Sequence, residues 1–281
     1  MGRRPQTTTG EGDMHTLKGR RGLLAVAAIA LLAAVAVAGI ASAGEGPVKV
    51  KVGELEFTAD GGFKPKALSK TKLTPIAFEA SGTIKSISTD PAKKHPPALK
   101  EVLVEADKNT AVTTTGYPTC KSGELQSTTT AAALAACKPA LIGEGTTKVG
   151  IAFPESNEVP VNSRLLVFNG GEAGGTITYY IHAYITLPVP AAIVTTVKIK
   201  KIHHGRYGLL ATATIPKIAG GSGSVLSFSL KIDKKFTYKD KTVSVISAKC
   251  PDGKLQAHAT AVFADGTRAS ADVIRSCTGK N

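Results

Sequence analysis

The chain of 281 residues contains no tryptophan, eight phenylalanines, six tyrosines and four cysteines. The basic run VKIKKIHHGRYG interleaves only one aromatic side chain, which argues against a protein that stacks the bases of single-stranded nucleic acid, and we predict no specific nucleic-acid recognition. The sequence has no G-x-S-x-G, H-E-x-x-H or phosphate-loop motif, which removes the signatures of several hydrolase and nucleotide-binding classes. It therefore predicts no catalytic residue and no cofactor.

The cysteines are as informative for their spacing as for their small number. They have neither the C-x₂₋₄-C spacing of zinc sites nor the C-x-x-C spacing of redox enzymes, so we predict no metal site. An even count in an exported chain indicates disulfides, and four cysteines allow three pairings. Placement favours the two local pairings, but the sequence leaves the connectivity open. The predicted disulfide residues are Cys120, Cys137, Cys250 and Cys277.

An export signal is predicted over residues 1–43. Lys18, Arg20 and Arg21 precede an apolar run that begins at Leu23 and ends in Ala41-Ser42-Ala43. A basic segment, an apolar segment and an A-x-A ending are the three parts of a signal peptide, with cleavage after Ala43. The alternative is an uncleaved membrane anchor, because the run is about long enough to span a bilayer. In both cases the protein is secreted or associated with the cell envelope.

Beyond residue 43 the sequence reads mainly as β-strand. Val48, Val50 and Val52 alternate with lysines, the period-two pattern of a strand with one solvated face. About a dozen such segments, separated by Gly- and Pro-rich turns, predict an all-β fold, an antiparallel β-sandwich that is either one large sandwich or two smaller ones. Gly143-Glu144-Gly145 is predicted as one of the turns, and Asp265-Gly266 as a hairpin.

One short helix is predicted over residues 128–136, between Cys120 and Cys137. Its alanines favour helix, and Ser127 and the threonines after it are suitable N-caps. Fewer than a dozen helical residues are marginal alone. A bond between the flanking cysteines would stabilise this insertion as a brace.

The distribution of charge divides the exported part of the chain into two regions, with the boundary at Leu187-Pro188-Val189-Pro190. This proline-containing segment either separates two sandwiches or turns a corner within one. Residues 44–187 carry 15 basic and 14 acidic residues, a net charge of +1, whereas residues 188–281 carry 15 and 5, a net charge of +10. Such asymmetry indicates either an anionic partner or a solubilising surface. The residues predicted for polyanion binding are Lys198, Lys200, Lys201, Arg206, Lys234 and Lys235.

Several segments of the chain resemble a known protein family, namely GYPTC, CKPALIGEG, ISAKCPDGKL and FADGT, together with the final cysteine. In them the chain resembles an uncharacterised family of secreted actinobacterial proteins with no known activity. The matching positions are structural Cys, Gly and Pro residues over most of the exported part. The resemblance implies an exported location and supplies no catalytic residue.

The leading hypothesis is an exported, non-enzymatic binding or structural protein of the cell envelope. Its basic C-terminal region would contact an anionic cell-wall polymer or a membrane surface. The alternative is an extracellular glycan hydrolase or transferase, with two carboxylates facing each other in a cleft of the sandwich. A sequence does not show which acids meet in space, so this alternative stays open, as do the ligand and the oligomeric state.

Overall fold

The computed structural model describes residues 45–153 and 158–281, and the predicted export segment lies outside these ranges. Within them no helix has the length and apolar character needed to cross a membrane. One α-helix, α1, spans Thr130–Cys137. The strands are β1 Val48–Val52, β2 Leu55–Lys64, β3 Ala67–Ser69, β4 Thr74–Pro75, β5 Ala77–Ser86, β6 Leu99–Asp107, β7 Thr110–Val112, β8 Leu141–Ile151, β9 Val159–Ala173, β10 Thr176–Ile185, β11 Ala191–His204, β12 Tyr207–Thr214, β13 Gly223–Ile232, β14 Lys235–Tyr238, β15 Lys241–Ser244, β16 Ile246–Ala248, β17 Lys254–Phe263, β18 Arg268–Ser276 and β19 Thr278–Lys280.

Twelve of these strands form one antiparallel sheet, in the order β1-β2-β5-β13-β8-β9-β10-β11-β12-β6-β17-β18. The sheet rolls up until its two edge strands, β1 and β18, lie against each other. Val48, Val50 and Phe57 from one end of the sheet then pack against Ala271 and Val273 from the other end. The all-β antiparallel prediction is confirmed, with the packed faces supplied by one large sheet.

The proline-rich segment at 187–190 turns a corner within this sheet. β10 and β11, which flank it, pair directly along all of β10, from Ile185 opposite Ala191 to Thr176 opposite Lys200. The nearly neutral and the basic regions therefore share one hydrogen-bonded structure.

Short strands close one end of the roll. β7, β14 and β16 belong to two small separate sheets, and they bring Val112, Phe236 and Ile246 against inward-facing residues of the main sheet. At the opposite end Ile218 packs with Ile151 and Ile185. The interior of the roll is thus covered by apolar side chains at both ends.

The helix lies outside the roll, over β9 and β10. Leu125 and Ala133 of the insertion pack against Leu166 and Phe168 of β9, and all four side chains are buried. The helix begins two residues later than predicted, because Thr129 Oγ1 accepts the capping hydrogen bond from the Ala132 amide at 3.2 Å.

Both predicted local disulfides are formed, Cys120–Cys137 and Cys250–Cys277. The first joins the two ends of the helical insertion. The second joins the segment before β17 to the residue that follows β18, and so brackets the terminal hairpin.

The prediction of a turn at Gly143-Glu144-Gly145 is wrong, because these residues lie within β8. Here β13 passes so close that a Cβ on Gly145 would lie 1.9 Å from the Ser229 carbonyl oxygen, and a Cβ on Gly143 would lie 2.4 Å from the Lys231 carbonyl oxygen. The glycines therefore permit close strand approach, a common reason for glycine inside a strand.

Candidate functional site

The rolled sheet encloses a cavity of about 410 Å³. Its wall is formed by residues of eleven of the twelve strands of the main sheet, with Val112, Ile218 and Ile246 at the ends. This volume falls within the range of small-molecule sites, about 300–1,000 Å³, which are typically apolar with a few polar groups. Among the described residues, this cavity is the strongest candidate for a binding site.

Small inward-facing side chains make room for this cavity. On the neighbouring strands β12, β6 and β17, cross-strand rows such as Ala211–Val104–Ala259 and Leu209–Ala106–Ala257 share the inner face. Longer side chains in these rows would project further into the interior. Eight alanines contribute to the wall: Ala59, Ala80, Ala106, Ala183, Ala211, Ala213, Ala257 and Ala259.

The charged groups of the wall are already paired. Arg275 of β18 donates to the Gly61 carbonyl oxygen of β2 at 2.6 Å and contacts the Asp60 carboxylate, so it bridges the seam between the two ends of the sheet. Asp107 is 1% exposed and accepts hydrogen bonds from the Arg206 Nε and the Gln256 amide. The glycan-hydrolase hypothesis needs two free facing carboxylates, and these two acids are each bound to an arginine.

The predicted polyanion residues occupy three different environments. Lys198 and Lys200 are exposed on the outer face of β11, with Val197 and Ile199 on the inner face, as the alternation predicts. Lys201 follows at the exposed end of the strand. Lys235 begins β14 in a separate two-stranded sheet, Lys234 precedes it, and both are exposed.

Arg206 differs from these lysines because its guanidinium is engaged within the fold. It contacts Asp107 and Asp252, and its Nη2 donates to the Lys254 carbonyl oxygen at 2.7 Å. These carboxylates, Asp252 first, raise the pKa of Arg206. Its side chain therefore ties the β11–β12 hairpin to β6 and β17.

Ser224, His95 and Glu158 meet in an arrangement that sequence reasoning missed. The Ser224 Oγ lies 3.0 Å from His95 Nε2, and His95 Nδ1 contacts the Glu158 carboxylate, which is the atom order of a Ser-His-acid triad. However, the Ser224 Oγ also lies 2.5 Å from the Pro96 carbonyl oxygen and donates its proton there. Ser224 is 1% exposed and is not part of the cavity wall. We therefore assign these residues to anchoring the 95–96 loop on the sheet.

One cluster in the described ranges has the residue types of a metal site, namely Cys120, Glu124 and Cys137. Its two sulfurs are joined in a disulfide, and a metal ligand requires the thiolate form. The cluster instead closes the helical insertion.

Two buried polar atoms in the described part of the chain have no hydrogen-bond partner, the Tyr179 hydroxyl oxygen and His182 Nδ1. Tyr179 belongs to the cavity wall, and burial raises the pKa of its hydroxyl strongly. His182 lies on the outer side of β10 beneath the helix, where its Nε2 is 3.0 Å from the Thr128 carbonyl oxygen. Neither of these two unpartnered atoms belongs to a sequence motif from which it could have been predicted.

Comparisons with protein-family models, curated proteins and solved structures returned no match. The resemblance to secreted actinobacterial proteins therefore stays a prediction.

Proposed function

We propose that this protein is an exported, non-enzymatic binding protein that encloses an apolar small molecule inside its rolled sheet. The observation that carries the proposal is the cavity of about 410 Å³ with its predominantly aliphatic wall. Transfer of apolar surface from water into such a site is favourable by about 25 cal/mol per Å².

The covalent structure supports an extracellular role. All four cysteines are paired in two disulfides, and such bonds persist in oxidising compartments outside the cytoplasm. Apolar molecules dissolve poorly in the water of those compartments, because exposing their surface is unfavourable. A protein that encloses them would carry or store them within the envelope or outside the cell.

The proposal is tested by titrating the purified protein with the apolar fluorescent dye 1-N-phenylnaphthylamine. We expect saturable binding to the wild-type chain. Replacing Ala211 and Ala259, which share one inward row, by leucine should weaken binding at least tenfold, because the added side chains occupy the cavity. The milder variant Ala213→Val should give an intermediate affinity.

Thr212→Leu is the matched control, because Thr212 neighbours Ala211 on the opposite face of β12. It should bind the dye as the wild type does. Circular dichroism and thermal melting establish that each variant is folded. Absence of dye binding to the wild type, or equal binding by the filled and wild-type cavities, would exclude the proposal.

The exposed lysines of β11 favour a second role for the outer surface, docking on an anionic wall polymer or membrane. Lys198 and Lys200 project from one face, and no described carboxylate lies within ion-pair distance of either amine. Binding to anionic vesicles or isolated wall polymers should be strongest at low salt, where screening is weak.

The double variant Lys198→Gln/Lys200→Gln should lose this binding. The control Lys70→Gln/Lys72→Gln removes the same charge from another exposed segment and should retain it. Equal sedimentation of both variants with the vesicles or polymers would rule out a specific role for the β11 lysines.

A further inference from the structure

The charge balance of the cavity wall restricts what the cavity can hold. Its charged side chains are Asp60, Asp107 and Arg275. Besides contacting Asp60, Arg275 donates to three backbone carbonyl oxygens, those of Gly61 at 2.6 Å, Ile274 at 2.7 Å and Gly46 at 3.2 Å. The donors of its guanidinium are thus engaged in closing the seam between β18 and β2.

Arg275 is the one positively charged side chain among the described residues that line the cavity, and the lining contains no lysine. Asp107 is paired with Arg206 and also accepts from the Asn109 amide at 2.9 Å. An anionic ligand would therefore lose its hydration without gaining a cation. Burying an unpaired charge is far more costly than burying a neutral polar group.

In contrast to these paired charges, Tyr179 offers a neutral hydrogen-bond donor that has no partner among the described residues. Its hydroxyl oxygen is buried and lacks a hydrogen bond among the described residues, which is unfavourable. Tyr179 belongs to the cavity wall, the residue as a whole is 3% exposed, and its oxygen exposes less than 1 Å². A hydrogen bond from this oxygen to a ligand would require the side chain to turn towards the cavity.

We infer that the cavity takes an uncharged lipid-like molecule with a hydroxyl or carbonyl oxygen, and that Tyr179 hydrogen-bonds to that oxygen. This inference rests on the proposed apolar-binding function and adds the charge and the polar group of the ligand. The apolar wall holds the hydrocarbon part, and the Tyr179 hydroxyl distinguishes an oxygenated molecule from a pure hydrocarbon. The paired charges of the wall exclude carboxylates.

The test uses the full-length protein and three probes of equal chain length, decane, 1-decanol and decanoate at pH 8, each displacing the dye. Decanol should bind about fivefold more tightly than decane, as one net hydrogen bond of about 1 kcal/mol provides. Decanoate should bind at least tenfold more weakly than decanol. Equal or tighter binding of decanoate would overturn the inference.

Tyr179→Phe should bind decane unchanged and lose the preference for decanol. Tyr180→Phe is the matched control, since Tyr180 is the next residue and points away from the cavity; it should keep the preference. A preference for decanol that survives in Tyr179→Phe would also overturn the inference. If no probe displaces the dye, or no dye binds, the proposed function itself fails, whereas equal displacement by decane and decanol refutes only this inference.

Discussion

The Nε of Arg206 donates a hydrogen bond to Asp107 Oδ2 across 2.6 Å, joining the β11–β12 hairpin to a carboxylate that is 1% exposed. Removing the guanidinium would leave this buried charge without its cation. We expect Arg206→Ala to lower the free energy of unfolding by about 3 kcal/mol, a typical cost of breaking a buried ion pair. Urea denaturation measures the change.

Asp252 provides the control for Arg206, because it contacts the same guanidinium but has a side chain that is 42% exposed. Asp252→Asn should cost less than about 1 kcal/mol, as exposed ion pairs do. If Arg206→Ala is as mild as Asp252→Asn, the buried pair does not stabilise the fold in the way described.

Because His182 is buried, we expect the protein to lose stability in acid. Burial lowers its pKa below the ordinary value of 6.5, outweighing the opposite effect of its hydrogen bond to the Thr128 carbonyl. As the pH falls below about 6.5, the unfolded chain takes up a proton at this site while the folded chain does not. The free energy of unfolding should therefore decrease as the pH is lowered from 7 to 5.

His182→Gln keeps a donor for the Thr128 carbonyl but does not titrate, so its stability should decrease less over this pH interval. His203→Gln, at an exposed position, should follow the wild-type curve. Denaturant unfolding at several pH values gives the three slopes. Identical slopes for His182→Gln and the wild type would contradict the assignment.

The Cys120–Cys137 bond should stabilise the helical insertion locally. Replacing both residues by serine removes a cross-link with a sequence separation of 17, which chain-entropy arguments value at about 3 kcal/mol. Limited proteolysis should then cut first between residues 120 and 137. Unchanged protease sensitivity of this segment would show that packing against β9 suffices to hold it.

Gly145 should tolerate no side chain. A Cβ there would meet the Ser229 carbonyl oxygen at 1.9 Å, so β13 would have to move away from β8. We expect Gly145→Ala to cost about 3 kcal/mol, at the upper end of typical overpacking penalties. Gly62→Ala is the control, because its Cβ would meet nothing within 4 Å; thermal melting should show the first variant strongly destabilised and the second unchanged.

Local patterns predicted the parts of this fold that depend on neighbouring residues. The alternation of Val48, Val50 and Val52 gave β1, and Asp265-Gly266 gave the β17–β18 hairpin, with Gly266 at a φ of +87°. The placement of the cysteines favoured the local disulfides, although it left the connectivity open. In each case the partners are close along the chain, so few alternatives compete.

Long-range relationships were beyond such patterns. Gly143-Glu144-Gly145 was predicted as a turn, because glycines so spaced favour a turn unless a distant strand approaches them closely. The cavity was missed because alternation places Ala211 and Ala213 on one face of β12 without telling whether that face is inside or outside. The Ser224–His95 contact joins residues 129 positions apart and has no local signal.

The strand order interleaves the two halves of the chain. β13 lies between β5 and β8, and β6 lies between β12 and β17. A chain emerging N-terminus first therefore exposes unpaired edges of β5 and β8 until Ile232 has followed. Such late, non-local pairing slows folding and prolongs the risk of aggregation. Neither half should be obtainable as a soluble fragment alone, and co-expression of both would be the way to reconstitute the protein from pieces.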